Sequence, residues 1–144
     1  MLTTVEKVII LQDIDFFEFT PTEGLAMIAA IAQELQVKRG TDVFREGEGS
    51  DAIYMIVEGR ILLHRSGGEL ATLVSKEGFG TLALFDTEPR IATATAIEDS
   101  YLLRISKEDF LDLLSDHTNI TESVFKALVK QIRGLVHDRF ETSR

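Results

Sequence analysis

The spacing of apolar residues divides the chain into three zones. Apolar positions recur every three or four residues in 3–35 and in 107–140, whereas 36–106 carries short apolar or alternating runs separated by glycines. The first spacing is typical of helices with one buried face, and alternation is typical of half-buried strands. We therefore predict one domain over residues 1–144, with helices at both ends and a β-roll between them.

The first zone predicts two helices joined by a turn. Thr3 or Thr4 is a suitable cap for the first helix. The second is expected to begin at Thr20, because Pro21 suits the first helical position and Glu23 completes a capping box. The apolar residues expected to be buried are Leu25, Ile28, Ala29, Ala32 and Leu35 on the second helix, and Phe16, Phe17 and Phe19 in the turn.

The middle zone predicts short strands at intervals of about ten residues, a spacing typical of an antiparallel sandwich or barrel. Gly59 and the pair Gly67–Gly68 are expected in tight turns between paired strands. A short helical piece over 81–85 is predicted to interrupt the strands. The predicted strands are 36–39, 42–46, 52–58, 60–66, 69–75, 91–97 and 101–106.

The last zone predicts a helix capped by Ser106, with Asp109 at its third position and Phe110 on its inner face. A longer helix follows the break near His117, and it carries an apolar stripe. We expect this stripe to cover the barrel of its own chain, and the alternative is a dimer seam. The stripe consists of Phe125, Leu128, Val129, Ile132, Val136 and Phe140.

Composition and charge exclude several classes of protein. The net charge is −9, and the 15 basic residues form no cluster, so direct binding to nucleic acid is not expected. Cysteine is absent, which excludes disulfides and zinc–thiolate sites. The longest apolar stretches, such as 24–32, are far shorter than the ~20 residues of a membrane span. Without a signal peptide pattern, we expect a cytoplasmic domain.

The sequence offers no clear catalytic or metal centre. Its three histidines, at positions 64, 117 and 137, match no metal-ligand spacing. No pattern pairs a nucleophile with a base. We therefore predict that the chain is not an enzyme and needs no cofactor.

Arg90 is the main candidate for a binding residue. It stands between a turn and a strand of small and β-branched residues, where an unpaired guanidinium would cost several kcal/mol. Its partner is either a protein carboxylate or a bound anion. Gly78 and Gly80 allow a close approach, and the helical piece after Gly80 would direct N–H groups to the same place. The local sequence therefore favours a bound anion, most simply a phosphate.

Three segments carry a resemblance that covers residues 5–135. They are GTDVFREGE at 40–48 with DAIYMIVEG at 51–59, GFGTLAL at 78–84, and PRIATA at 89–94. Together they resemble the cyclic nucleotide-binding domain family, in which the second segment is the phosphate-binding cassette. The resemblance implies a mainly β fold: an eight-stranded antiparallel jelly-roll β-barrel (double-stranded β-helix) with N-terminal and C-terminal α-helices. The ligand pocket would lie beneath the cassette helix.

The resemblance also assigns roles around the phosphate. Arg90 matches the arginine that pairs with the cyclic phosphate, and Gly80 matches the turn before the cassette helix. Backbone N–H groups of Leu82, Ala83 and Ala92 match those that complete the contact.

Three further positions concern the ribose and the base. Thr81 stands where the family usually has a glutamate that accepts a hydrogen bond from the ribose 2′-hydroxyl. Ile91 stands where a hydroxyl residue often accompanies guanine, which favours adenine. Ile61 and Leu63 lie on the strand that lines the base in the family, although core packing is expected for both.

The resemblance implies a regulatory module. It would bind cAMP rather than cGMP and relay binding through its C-terminal helices to an effector elsewhere in the polypeptide or in a partner. The alternative, which Thr81 supports, is a degenerate domain that binds no nucleotide and serves for docking or dimerisation.

Overall fold

The computed structural model describes residues 1–142 and, within them, every side chain except those of Leu82, Ala83 and 140–142. Phe140 of the predicted stripe therefore has a side chain outside the described residues. The helices are α1 (Thr4–Gln12), α2 (Thr22–Ile31), α3 (Lys107–Asp116) and α4 (Thr118–Thr142), with 3-10 turns at Asp15–Phe17 and Thr81–Leu84. The strands are β1 (Gln33–Val37), β2 (Asp42–Phe44), β3 (Ala52–Glu58), β4 (Ile61–Arg65), β5 (Gly68–Leu73), β6 (Gly78–Phe79), β7 (Thr93–Ala96) and β8 (Ser100–Ser106).

The strands form two antiparallel sheets of four strands each. The first sheet has the order β1-β8-β3-β6 and the second has the order β2-β7-β4-β5. The predicted mainly β fold with antiparallel strands and flanking helices is confirmed. The closed barrel is wrong: no ladder joins the two sheets within residues 1–142, and the short strands β2 and β6 end before their sheets could close. The result is a two-layer jelly roll.

The first sheet is buried on both faces, which explains the nearly continuous apolar run of β3. Ala52, Tyr54 and Ile56 point to the core between the two sheets. Ile53 and Met55, at the alternate positions, pack against the helices. Because successive strand residues point to opposite faces, a strand between two cores requires apolar residues throughout.

The N-terminal helices differ from the prediction at two points. Thr3 caps α1 through a capping box with Glu6, as predicted. Thr20 does not cap α2: the N-cap is Pro21, and the Thr20 hydroxyl lies 2.8 Å from the Ser123 hydroxyl instead. The helix also ends at Ile31, before the predicted limit, because residues 33–37 pair with β8 as a strand.

Two further expectations fail, one for a phenylalanine of the N-terminal region and one for a turn of the β-roll. Phe16 and Phe17 are buried, but Phe19 is 42% exposed. The turn at Gly67 joins the paired strands β4 and β5, as predicted. The turn at Gly59 does not join paired strands, because β3 and β4 belong to different sheets. Gly59 has a φ of +107°, which lets the chain reverse into the opposite layer.

The C-terminal helices confirm the predicted caps but not the role of the stripe. The Ser106 hydroxyl accepts from Asp109 N at 3.2 Å, and Phe110 is buried. The first turns of α4 are anchored in the helical core by Ile120 and Val124. Beyond them the stripe does not cover the sheets of its own chain, since most of it is exposed. The exposed members are Phe125, Val129, Ile132 and Val136, with Leu135 beside them.

Within residues 1–142, no helix combines the length and the apolar character needed to cross a bilayer.

Candidate ligand-binding site around Arg90

A cavity of about 360 Å³ lies where the cassette segment faces the second sheet. Its walls come from β2, β4, β5 and β6, from the 3-10 turn after Gly80, and from the connection that leads into β7. Most of the lining is apolar. The lining residues are Phe44, Ser50, Leu63, Leu70, Leu73, Gly78, Phe79, Gly80, Thr81, Asp86, Glu88, Pro89, Arg90, Ile91 and Ala92.

Arg90 occupies the inner wall of this cavity, with only 6% of the residue exposed. Its backbone is fixed by two hydrogen bonds to the β2–β3 connection: Arg90 N donates to Glu48 O at 2.8 Å, and Gly47 N donates to Arg90 O at 2.9 Å. The guanidinium lies over the ring of Phe44, 4.0 Å from the ring centroid. The loop and the aromatic ring together hold the cation in place.

The guanidinium is bonded to carbonyl oxygens rather than to an acid. Nη2 donates to Ala52 O at 2.7 Å and Nη1 donates to Gly80 O at 3.3 Å. Nε is buried without a hydrogen-bond partner. The nearest carboxylate oxygen, on Asp51, is 3.9 Å from Nη2, and that side chain is 73% exposed. A buried N–H without an acceptor costs about 1–3 kcal/mol, so Nε of Arg90 carries an unmet requirement for an acceptor.

Burial of Arg90 lowers the pKa of its guanidinium, and the nearby carboxylate of Asp51 works in the opposite direction. The group stays protonated, because the ordinary pKa of arginine lies far above neutrality. The cavity therefore presents a permanent positive charge on an apolar wall, where water screens it less than at the surface.

Gly80 makes room for this arrangement. Its φ is +80°, and a Cβ added there would lie 2.7 Å from Arg90 Nη1 and 3.3 Å from Ala52 O. A side chain at this position would therefore displace the guanidinium from its carbonyl partners. Glycine is needed here for both the backbone conformation and the close approach.

The structure brings most of the predicted site residues together. Gly80, Thr81, Arg90, Ile91, Ala92 and Leu63 all line the cavity. Ile61 does not, because it is fully buried in the core between the sheets. Leu82 and Ala83 belong to the 3-10 turn, but their side chains lie outside the described residues. That these residues bind a ligand stays a prediction.

Sequence reasoning missed part of the wall. Phe44, Leu70 and Leu73 line the cavity together with Arg90, although they are distant in sequence. Leu70 is 55% exposed, which is unusual for a leucine of a strand. The apolar residues of β5 were a signal in the sequence, but only the pairing of β5 with β4 shows that they face the same cavity.

A second polar network, also not predicted, lies on the outer face of the second sheet. Thr95 Oγ1 donates to Asp42 Oδ1 at 2.6 Å, and His64 Nε2 lies 2.8 Å from Thr95 Oγ1. The pKa of Asp42 is lowered chiefly by the hydrogen bond from Thr95. Because the single hydroxyl proton is donated to Asp42, His64 must donate to Thr95 rather than accept from it. Histidine thus does not act as a base toward this hydroxyl, and the network is structural.

Comparison with known proteins agrees with this geometry. Residues 34–117 match the family described as cyclic nucleotide-binding domain. A CRP-like cAMP-activated global transcriptional regulator from Mycobacterium tuberculosis is 29% identical over 114 residues, which cover 74% of this chain and 51% of that protein. A lysophospholipase from Aspergillus fumigatus is 34% identical over 107 residues, which cover 71% of this chain and 7% of that protein.

Among solved structures, the sensor domain of the transcriptional regulator DNR from Pseudomonas aeruginosa has a TM-score of 0.77 and 27% identity. That match covers 96% of this chain and 93% of the other. The chain spans about half the length of the mycobacterial regulator and a much smaller share of the lysophospholipase. Since the family match extends over more than half of the sequence, the chain belongs to the cyclic nucleotide-binding domain family.

Proposed function

We propose that the domain is a regulatory module that binds a cyclic nucleotide, cAMP in preference to cGMP, and relays binding through α3 and α4 to an effector outside this chain. The observation that carries the proposal is the buried guanidinium of Arg90, which lines the cavity and whose Nε has no hydrogen-bond partner. Membership of the family supports it. The name of the mycobacterial relative, which is cAMP-activated, supports the choice of ligand.

The cavity suits a small ligand with one anionic end and a flat apolar body. Its volume of about 360 Å³ falls in the usual range for small-molecule sites. The anion would approach Arg90, and a base would lie against Leu63, Leu73 and Ile91. Ile91 offers no hydroxyl to a guanine, so adenine is the preferred base in this proposal.

Thr81 lowers the expected affinity without removing the site. A hydrogen bond to a charged acceptor contributes about 1.5–3 kcal/mol and a neutral one about 0.5–1.5 kcal/mol. A hydroxyl in place of a carboxylate would therefore weaken nucleotide binding by roughly 1–2 kcal/mol, on the order of tenfold.

A polar cleft next to the cavity offers a route for the relay. Gly78 and Thr81 line both the ligand cavity and this cleft, whose far wall includes Gln131 of α4. Any shift of the 3-10 turn toward an anion at Arg90 would change the cleft that α4 faces. We infer that occupancy changes the packing of α4 by this route.

Calorimetry with cAMP and cGMP tests the proposal. We expect micromolar binding of cAMP and weaker binding of cGMP, with loss of binding in Arg90→Ala and in Arg90→Lys. Arg45→Ala is the matched control, because Arg45 carries the same charge but is exposed and does not line the cavity. If neither nucleotide binds the wild-type protein, or if Arg90→Lys binds like Arg45→Ala, the proposal is wrong.

A docking or dimerisation module is the second candidate, and the exposed stripe of α4 supports it. Ile132 is 59% exposed and Val136 is 62% exposed, and both lie beyond the turns of α4 that Ile120 and Val124 anchor in the helical core. We propose a second copy as the partner. Ile132→Glu should then convert a dimer to a monomer in sedimentation experiments, whereas Val5→Glu, at a 68% exposed position of α1, should not. A wild-type monomer at all concentrations would exclude this role.

A further inference from the structure

The lining of the ligand cavity carries an asymmetric set of charges. Arg90 is the one cation among the described lining residues, and Asp86 and Glu88 are the two acids. Arg90 is buried, whereas both acids are exposed. A ligand therefore meets carboxylates on the solvent side and the cation at the inner wall.

The positive charge of Arg90 is already partly balanced by its surroundings. Asp51 lies 3.9 Å from Nη2, and Glu48 is a second carboxylate that stabilises the charged form. Arg104 is the cation that opposes them, and it is itself paired with Asp51 at 3.3 Å. Before a ligand binds, the charges of Arg90, Asp51, Glu48 and Arg104 therefore sum to about zero.

We propose that Asp86 and Glu88 form a charge filter at the cavity, which favours a monoanion such as a cyclic phosphodiester over dianionic phosphomonoesters such as 5′-nucleotides. The filter rests on the proposed function, because it takes the anion to bind at Arg90. It goes further in naming the residues that set the permitted charge.

The discrimination follows from Coulomb's law. For a separation of roughly 7 Å between a carboxylate and a bound anion, repulsion in water weakens binding of a monoanion about threefold and binding of a dianion about sevenfold. Lys107 moderates the effect of Asp86, because its Nζ donates to the Asp86 carbonyl oxygen at 2.7 Å. Glu88 should therefore contribute more than Asp86.

Binding of cAMP and of 5′-AMP to the whole chain tests the filter. In Glu88→Gln we expect about a threefold gain in cAMP affinity and about a sevenfold gain in 5′-AMP affinity at low salt, so that selectivity for cAMP over 5′-AMP falls about threefold. Asp86→Asn should change the selectivity for cAMP over 5′-AMP less than Glu88→Gln does. Asp112→Asn is the control, since this exposed residue of α3 has the same charge but does not line the cavity.

Two further measurements separate local charge from other effects. The second pKa of a phosphomonoester is about 6, so wild-type affinity for 5′-AMP should rise from pH 8 to pH 5.5 while affinity for cAMP stays constant. High salt should reduce the difference in nucleotide affinity between Glu88→Gln and the wild type, because it screens the charge of Glu88.

The outcomes distinguish the filter from the proposed function. If cAMP binds but its selectivity over 5′-AMP is unchanged in Asp86→Asn and Glu88→Gln, the filter is overturned and the cyclic nucleotide site stands. The filter is also overturned if Asp112→Asn changes selectivity as much as Glu88→Gln. If wild-type protein does not bind cAMP, the proposed function fails and the filter fails with it.

Discussion

Gly80→Ala is the substitution that most directly tests how the site is built. The new Cβ would be 2.7 Å from Arg90 Nη1 and 3.3 Å from the carbonyl oxygen of Ala52, at a backbone φ of +80°. The first contact forces the guanidinium to move, and the second requires the β3 backbone to yield slightly. Both hydrogen bonds that hold Arg90, to Gly80 O and to Ala52 O, lie in the path of that movement.

The expected magnitude has two parts. A non-glycine residue in the left-handed region costs about 1–2 kcal/mol. Loss of the hydrogen bond from the charged Nη2 to Ala52 O adds about 1.5–3 kcal/mol. The free energy of unfolding should therefore fall by about 2.5–5 kcal/mol, measured by urea denaturation. Because Arg90 is displaced, affinity for cAMP in calorimetry should fall by roughly tenfold to a hundredfold.

Gly40→Ala separates the two parts. Gly40 has a φ of +89°, but an added Cβ there meets no atom within 4 Å. This variant should lose only the backbone part, about 1–2 kcal/mol, and should bind cAMP like the wild type. If both variants lose the same stability and both keep full affinity, then the contact between Gly80 and Arg90 does not position the guanidinium, and the reasoning is refuted.

Three other changes probe separate parts of the molecule. In Gly59→Ala the added Cβ would overlap Ser100 Oγ and lie 2.7 Å from Ser100 Cα, so we expect a loss of more than about 3 kcal/mol by urea denaturation; a loss under about 1 kcal/mol would contradict the packing of this turn. The Tyr101 hydroxyl donates to the Glu34 carboxylate, which raises the pKa of Tyr101 to about 12. Because this folded-state pKa is raised above the ordinary value, the contact stabilises the fold below about pH 10, and its contribution is lost as pH rises through about 12. Tyr101→Phe should remove this dependence in unfolding experiments between pH 8 and 12, and an unchanged dependence would show that the contact is not responsible. Finally, cAMP at a hundred times its dissociation constant should stabilise the wild type by about 2.7 kcal/mol in thermal unfolding but should not stabilise Arg90→Met; equal shifts would place the ligand elsewhere.

The order of elements could be predicted from the sequence because each depends on a local signal. The first helix was predicted to be capped by Thr3 or Thr4 and the third by Ser106, and the structure has Thr3 and Ser106 as the caps. Turns could be predicted at the glycines because glycine tolerates a positive φ. Arg90 stood out because a charged residue before a strand of small residues requires a partner.

The failures within the β-roll and at the end of α2 share one physical cause, which is pairing between distant segments. Leu35 keeps the helical period of α2, but its segment pairs with β8 at Leu102 and therefore forms a strand. The two-residue strand β6 has no pattern of its own and exists because Phe79 pairs with Tyr54. Whether the two sheets close into a barrel likewise depends on where the hydrogen-bonded strand pairs end, and no local pattern in the sequence specifies this.

Arg90 also shows why the site carries a cost in the absence of ligand. Replacing buried charged groups with apolar residues is often neutral or stabilising, so an arginine that packs against Phe44 with Nε unpaired is not explained by stability alone. The Ala52 and Gly80 carbonyls satisfy only two of the five guanidinium N–H groups. An anion in the cavity would supply acceptors to the others, and the interaction would be strong because the surroundings are apolar. In the proposed function, a bound anion would recover this energetic deficit, and we expect the 3-10 turn after Gly80, which shares a cleft with Gln131 of α4, to respond to it.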